Sequence, residues 1–167
     1  MKHIASLIIA LLLVASAVLG YSYHRKSAEA EDAKSGFLSV SNTALFCLTD
    51  MGALETMFKN NASEELVRER VGRYAFCSLV LSKASASLYK VTGKKMYWNF
   101  HVASANLADF FSHVRNSEEP RKLVAENLDV LLQIDREISG IYQEWGKGNV
   151  TEDMTSKLLS LTEGLSW

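Results

Sequence analysis

From Phe37 onward the apolar residues recur at alternating intervals of three and four, which limits the body of this chain to helices that each bury one stripe. Phe37, Val40, Ala44, Cys47, Met51, Leu54 and Phe58 form the first stripe, the a/d seam of a helix built to pack on others. Asn60 and Asn61 interrupt it. Ser63 followed by Glu64 and Glu65 then reads as an N-cap with acids in the first helical turn. The second stripe runs through Val67, Val71, Tyr74, Leu81 and Leu88, and Gly93 stands where a C-terminal cap belongs.

Met96, Phe100, Ala103, Leu107, Phe110 and Val114 carry a third stripe. Pro120 opens a fourth helix, where a proline is tolerated because the first turn has no intrahelical acceptor for its missing N–H. That helix has the most regular seam: Val124, Asn127, Leu131, Ile134, Ile138, Ile141 and Trp145, with Asn127 as a register-setting polar residue. Thr151, Glu152 and Asp153 cap a short last helix with Met154, Leu158, Leu161 and Leu165 on one side. Strand patterns are absent, and connections of about four residues force antiparallel neighbours. The sequence therefore predicts an all-α fold. An up-down-up-down four-helix bundle spans residues 36–149, and a short fifth helix, residues 150–167, packs on it by capping the core or offers a partner-binding stripe.

Ahead of the bundle lies an unbroken apolar run, residues 4–19. Extended through Tyr21 and Tyr23 it reaches the ~20 residues needed to cross a bilayer, before His24, Arg25 and Lys26 stop it. Residues 1–23 thus read as a transmembrane signal-anchor; the alternative is a cleaved signal peptide, with Ala15, Ser16 and Ala17 as the small-residue cleavage site. Residues 24–35 are a juxtamembrane stalk or an extension of the same helix. Flanking charge leaves orientation near a tie, and the short head favours an exported body. Either reading makes the body extracytoplasmic, secreted if the segment is cleaved.

Cys47 and Cys77 stand equally far from Ala62, so folding the first two helices about that turn brings them level. They are the two cysteines of the chain, and in an oxidising compartment they are expected to pair. Helix axes spaced 8–10 Å apart are too wide for a disulfide on this reading, so the pairing is expected to need close approach, helped by the small residues Thr43, Ala44, Ser78 and Ala84.

With the first helix running outward, residues 92–98 and 145–149 return towards the bilayer. Arg25, Lys26, Lys94, Lys95, Tyr97, Trp98, Trp145 and Lys147 then gather as a basic and aromatic membrane-proximal contact, unless the lysines merely solvate helix ends and the aromatics plug the bundle. A candidate pocket centres on Met96, Phe100 and His101, with Tyr97 and Trp145 beside it.

A net charge of −1 argues against nucleic acid as a partner. No nucleophile elbow, phosphate loop, C-x-x-C, H-x-x-x-H or E-x-x-H motif occurs, and none of the residues is assigned a catalytic or metal-binding role. The expectation is a non-enzymatic, cofactor-free interaction or scaffold module, held to the membrane by its N-terminal helix and facing a protein partner in the envelope. The alternative is a sensor-like bundle that binds a small molecule or cofactor.

Overall fold

The computed structural model describes residues 2–166, with side chains from Ser16 to Ser166. Every regular element among these residues is helical: α1 Lys2–Leu48, α2 Ala53–Lys59, α3 Glu64–Thr92, α4 Lys95–Asn116, α5 Pro120–Glu126, α6 Leu128–Trp145 and α7 Glu152–Glu163. They divide into two units, Met1–Gly36 and Phe37–Trp167.

The first unit is helical backbone from Lys2. The apolar run at residues 4–19 lies outside the described side chains except for its last four residues. Helix continues through residues 24–35 rather than giving way to a loose stalk, with Arg25 paired to Glu29 at 2.9 Å and Lys34 to Glu31 at 2.8 Å. Such pairs one turn apart each add only about 0.2–0.5 kcal/mol, enough to favour helix over coil in an exposed segment.

In the second unit the local capping chemistry is where the sequence places it. Ser63 Oγ accepts from the Leu66 N–H and Thr151 Oγ1 from the Met154 N–H, each satisfying a donor at a helix start. Gly93 closes α3 with φ +68°, a left-handed conformation that a side chain would strain. Pro120 sits in the first turn of α5.

The core follows the predicted seams in Leu54, Tyr74, Leu81, Phe100, Leu107 and Ile138, all fully buried; in α1 the buried stripe is instead Ser41, Ala44, Leu45 and Leu48, rotated from the predicted one, and Val40 is exposed. Among the helices from α2 to α7, the most extensive contact is between α3 and α4. There α3 buries Ala75, Ser78, Ser82 and Ser85, and α4 buries Ala103, Ser104 and Ala108. Small side chains on both faces let two backbones run close along their length. The hydroxyls of Ser78, Ser85 and Ser104, and of Ser41 on α1, have no hydrogen-bond partner among the described residues, so close packing here carries a desolvation cost. The last helix is a wall of the bundle rather than a free stripe. α7 packs on both α4 and α6, burying Thr155, Leu158 and Thr162, and Asn99 of α4 donates to Ser156 Oγ at 2.9 Å.

Two seams that read as continuous helices are broken. The first stops at Leu48 and resumes at Ala53. Its turn is held from outside: Tyr74 donates its hydroxyl to the Asp50 carbonyl at 2.6 Å, and the Met51 and Gly52 N–H groups face the Asp135 carboxylate of α6. Gly52 leaves room for this approach: a Cβ there would stand 3.1 Å from Asp135 Oδ2, so the carboxylate would have to give by a few tenths of an ångström. The second break falls at Asn127, between α5 and α6. Its side-chain amide donates to the carbonyls of Leu123 and Ser166, each at 2.9 Å, and its Oδ1 accepts from the Ser166 N–H at 2.9 Å. Asn127 therefore ties down the segment after α7 as well as punctuating the seam.

Asp135 holds its proton more tightly than an ordinary carboxyl, first through burial, with the nearby Asp50 charge adding to it and the Gly52 and Met51 N–H groups opposing it. A carboxyl with a raised native pKa binds more protons in the folded state, so the fold gains most when Asp135 is protonated. Stability should fall as pH rises from the unfolded-chain value through the raised native value. Urea titrations across that window should show this slope in the wild type and lose it in Asp135→Asn. Asp135→Ala, which removes the acceptor for the turn, should cost on the order of 1 kcal/mol.

Candidate functional site

One end of the bundle is formed by the α3–α4 turn, the α6–α7 turn and the α1 residues that begin the second unit. Gly93 reverses the chain, Thr92 Oγ1 accepts from the Lys94 N–H at 3.3 Å, and α4 starts at once. Trp145, the last residue of α6, donates its indole N–H to the Leu38 carbonyl at 3.4 Å and meets the rings of Phe100 and Tyr97 edge-on, with centroids 5.5 and 6.3 Å away. These groups leave a cavity of about 220 Å³ lined by Leu38, Lys94, Met96, Tyr97, Trp145, Gly148 and Val150.

The rim charges differ. Lys95 pairs with Glu152 at 3.0 Å and Lys147 with Glu144 at 2.7 Å, while Lys94 makes no ion pair among the described residues. Hydrogen bonds from Lys147 and Asn149 hold the Glu144 carboxyl below its ordinary range.

The structure brings some of the expected pocket residues together and not others. Met96 lines the cavity with Tyr97 and Trp145, and Phe100 backs Trp145 from the core. His101 does not join them. Five residues beyond Met96, it is rotated by about 140° around α4 at 3.6 residues per turn. It turns to α3 instead, where its Nδ1 lies 2.9 Å from Ser82 Oγ.

The membrane-proximal set also separates by orientation. Arg25 and Lys26 belong to the first unit. Lys94, Lys95 and Lys147 are exposed, as is Trp98, whose ring sits 5.4 Å from Tyr89 and 5.3 Å from His101. Tyr97 is buried and Trp145 half-buried, so these two plug the bundle end from inside and are not available as an outward-facing belt.

Cys47 of α1 and Cys77 of α3 lie at disulfide distance, with Cα atoms 6.3 Å apart. Exceptional approach is not needed. Each Cα projects about 2.3 Å from its helix axis, so facing Cα atoms on axes about 9–10 Å apart come roughly 4.4–5.4 Å from each other, within the disulfide range. A bridge spanning a separation of 30 residues contributes about 3–4 kcal/mol in the loop-entropy account.

Beside the two cysteines, Phe46 and Phe76 are 61% and 65% exposed, and Val40 and Leu79 are 44% and 47% exposed. Between the helices runs a groove of about 360 Å³ lined by Phe37, Val40, Leu79, Val80, Lys83, Ala84 and Ser87. No charged residue occurs within residues 35–49 of α1 and its turn, or within residues 74–82 of α3. Off-seam aromatics inside charge-free stretches were the legible signal for this face, and seam-counting passed over them.

At the opposite edge of the same helices Asp50 receives Arg70 at 2.5 Å, with Arg73 at 3.8 Å. Burial, with help from the Asp50 charge, raises the Tyr74 phenol, keeping it a neutral donor to the turn. This cluster is a structural clamp. Among the described residues no group of three or more His, Cys, Asp or Glu side chains is placed to hold a metal ion. Comparison with family models, curated proteins and solved structures finds no match.

Proposed function

We propose that this chain is a membrane-tethered helical bundle, facing an extracytoplasmic space, that works as a non-enzymatic interaction or scaffold module. The observation that carries the reading is an exposed apolar helix joined to a bundle with a closed cysteine pair. Val18, Leu19, Tyr21 and Tyr23 are between 58% and 77% exposed, and α1 is long and apolar enough to cross a membrane. Side chains of this kind need cover, and a bilayer with tyrosines at its interface supplies it. A disulfide is stable in an exported compartment and rare in a reducing one, which supports the outward orientation. The uncharged face beside Cys47 and Cys77 supports interaction as the role, since interface cores are depleted in charge and enriched in aromatic residues.

Full-length protein in its native cells should resist extraction by alkaline carbonate, and its bundle should be cut by a protease supplied from the extracytoplasmic side. Release by carbonate, or a bundle reached only from the cytoplasmic side, contradicts the reading.

A second reading, small-molecule binding, is favoured by the end cavity with its aromatic wall and the unpaired Lys94. Its size and single cation suit a compact apolar molecule bearing one acidic group. A panel of short-chain and aromatic carboxylates should then raise the melting temperature of wild type and not of Trp145→Ala. No shift across the panel counts against this reading.

A further inference from the structure

We infer that the α3–α4 turn and the side chains around it form a second membrane contact, which rests on the phospholipid headgroups of the bilayer that holds the N-terminal helix. The inference deepens the tethered-module reading and rests on it. Charge is segregated along the bundle. Residues 70–108 carry six Lys or Arg side chains and no Asp or Glu, whereas residues 116–167 carry five and ten. Within the basic stretch Arg70 and Arg73 are paired with Asp50, and Lys95 with Glu152. Lys90 and Lys94, on either side of the turn, are exposed and make no ion pair among the described residues. The acids at this end sit on other elements: Glu144, paired with Lys147, ends α6, and Glu152 and Asp153 begin α7.

The neighbours of these two lysines suit lipid. Tyr89, Val91 and Trp98 are exposed around the same turn, and the Trp98 ring stands 5.4 Å from Tyr89 and 5.3 Å from His101. Those ring contacts hold Trp98 in place while leaving its outer side to the surroundings. Indole and phenol rings settle at headgroup level, and an ammonium beside them meets phosphate. Protein interfaces are enriched in aromatic residues but depleted in lysine, so unpaired lysines among the rings favour a headgroup layer over a protein partner.

The chain also enters the second unit at this end, since Leu38 lines the end cavity together with Lys94. Residues 24–36 link the apolar segment to that point and span about 20 Å as helix. So short a link keeps this end at a high effective concentration near the bilayer, where weak contacts suffice. Each lysine close to an anionic surface strengthens such a contact about fivefold.

Full-length protein in nanodiscs of phosphatidylcholine mixed with phosphatidylglycerol tests this, with a nitroxide on the lipid headgroups and a fluorescent amino acid replacing Val91. Wild type should be quenched at this position. A fluorophore replacing Glu65, about 40 Å away along α3, should not be. Lys90→Glu with Lys94→Glu should lower the quenching about fivefold or more at an unchanged melting temperature, and Lys90→Arg with Lys94→Arg should preserve it. A photocrosslinker replacing Val91 should yield lipid adducts in native membranes. Equal quenching at positions 65 and 91, quenching that survives the glutamate pair, or an adduct to protein in place of lipid overturns the proposal. Absent quenching in protein that still resists carbonate extraction overturns this inference alone and leaves the tethered module standing; failure to associate with membranes overturns both.

Discussion

The contact of α3 with α4 is the spine on which the other helices of the bundle depend. Alanine and serine on both faces let these two helices lie close, and the left-handed Gly93 makes the short reversal that holds them antiparallel. α5 and α7 dock on this pair, α5 on both members and α7 on α4. α1 reaches α3 at Cys47 and Cys77, and α7 reaches α4 through Asn99 and Asn106. α6 closes the ring from the far side, its Asp135 supporting the α1–α2 turn and its Trp145 the bundle end. The buried hydroxyls without partners are the cost of this design. Close backbone packing outweighs that cost only because it runs the length of two helices.

Features governed by neighbours along the chain were legible in the sequence. Ser63, Gly93, Pro120 and Thr151 mark boundaries because a cap needs only a side chain and an N–H or carbonyl a few residues away. The cysteine pair was legible as well, since two helices of equal reach from one turn must bring those positions level. The breaks at Thr49 and Asn127 were not. Each is stabilised by a group remote in sequence, Asp135 for one and Ser166 for the other, and periodicity carries no information about such partners.

The candidate sites divide in the same way. Met96, Tyr97 and Trp145 meet because they lie at helix ends that the topology brings together. His101 was grouped with them by proximity in sequence, but its angle around α4 sends it to Ser82. Phe76 stands outside the buried seam and is exposed, whereas Phe46, also exposed, rests against the Tyr142 ring of α6, with centroids 5.8 Å apart. Axis separation and Cα separation differ by the helix radii, so the cysteines can meet at ordinary packing distance.

The Cys47–Cys77 pair that links α1 to α3 is central to the proposed tethered module. The most direct test is non-reducing peptide mass spectrometry of the protein taken from its native membranes, with free thiols blocked at lysis. The account predicts a linked peptide pair containing Cys47 and Cys77. Recovery of both cysteines as blocked free thiols would contradict it.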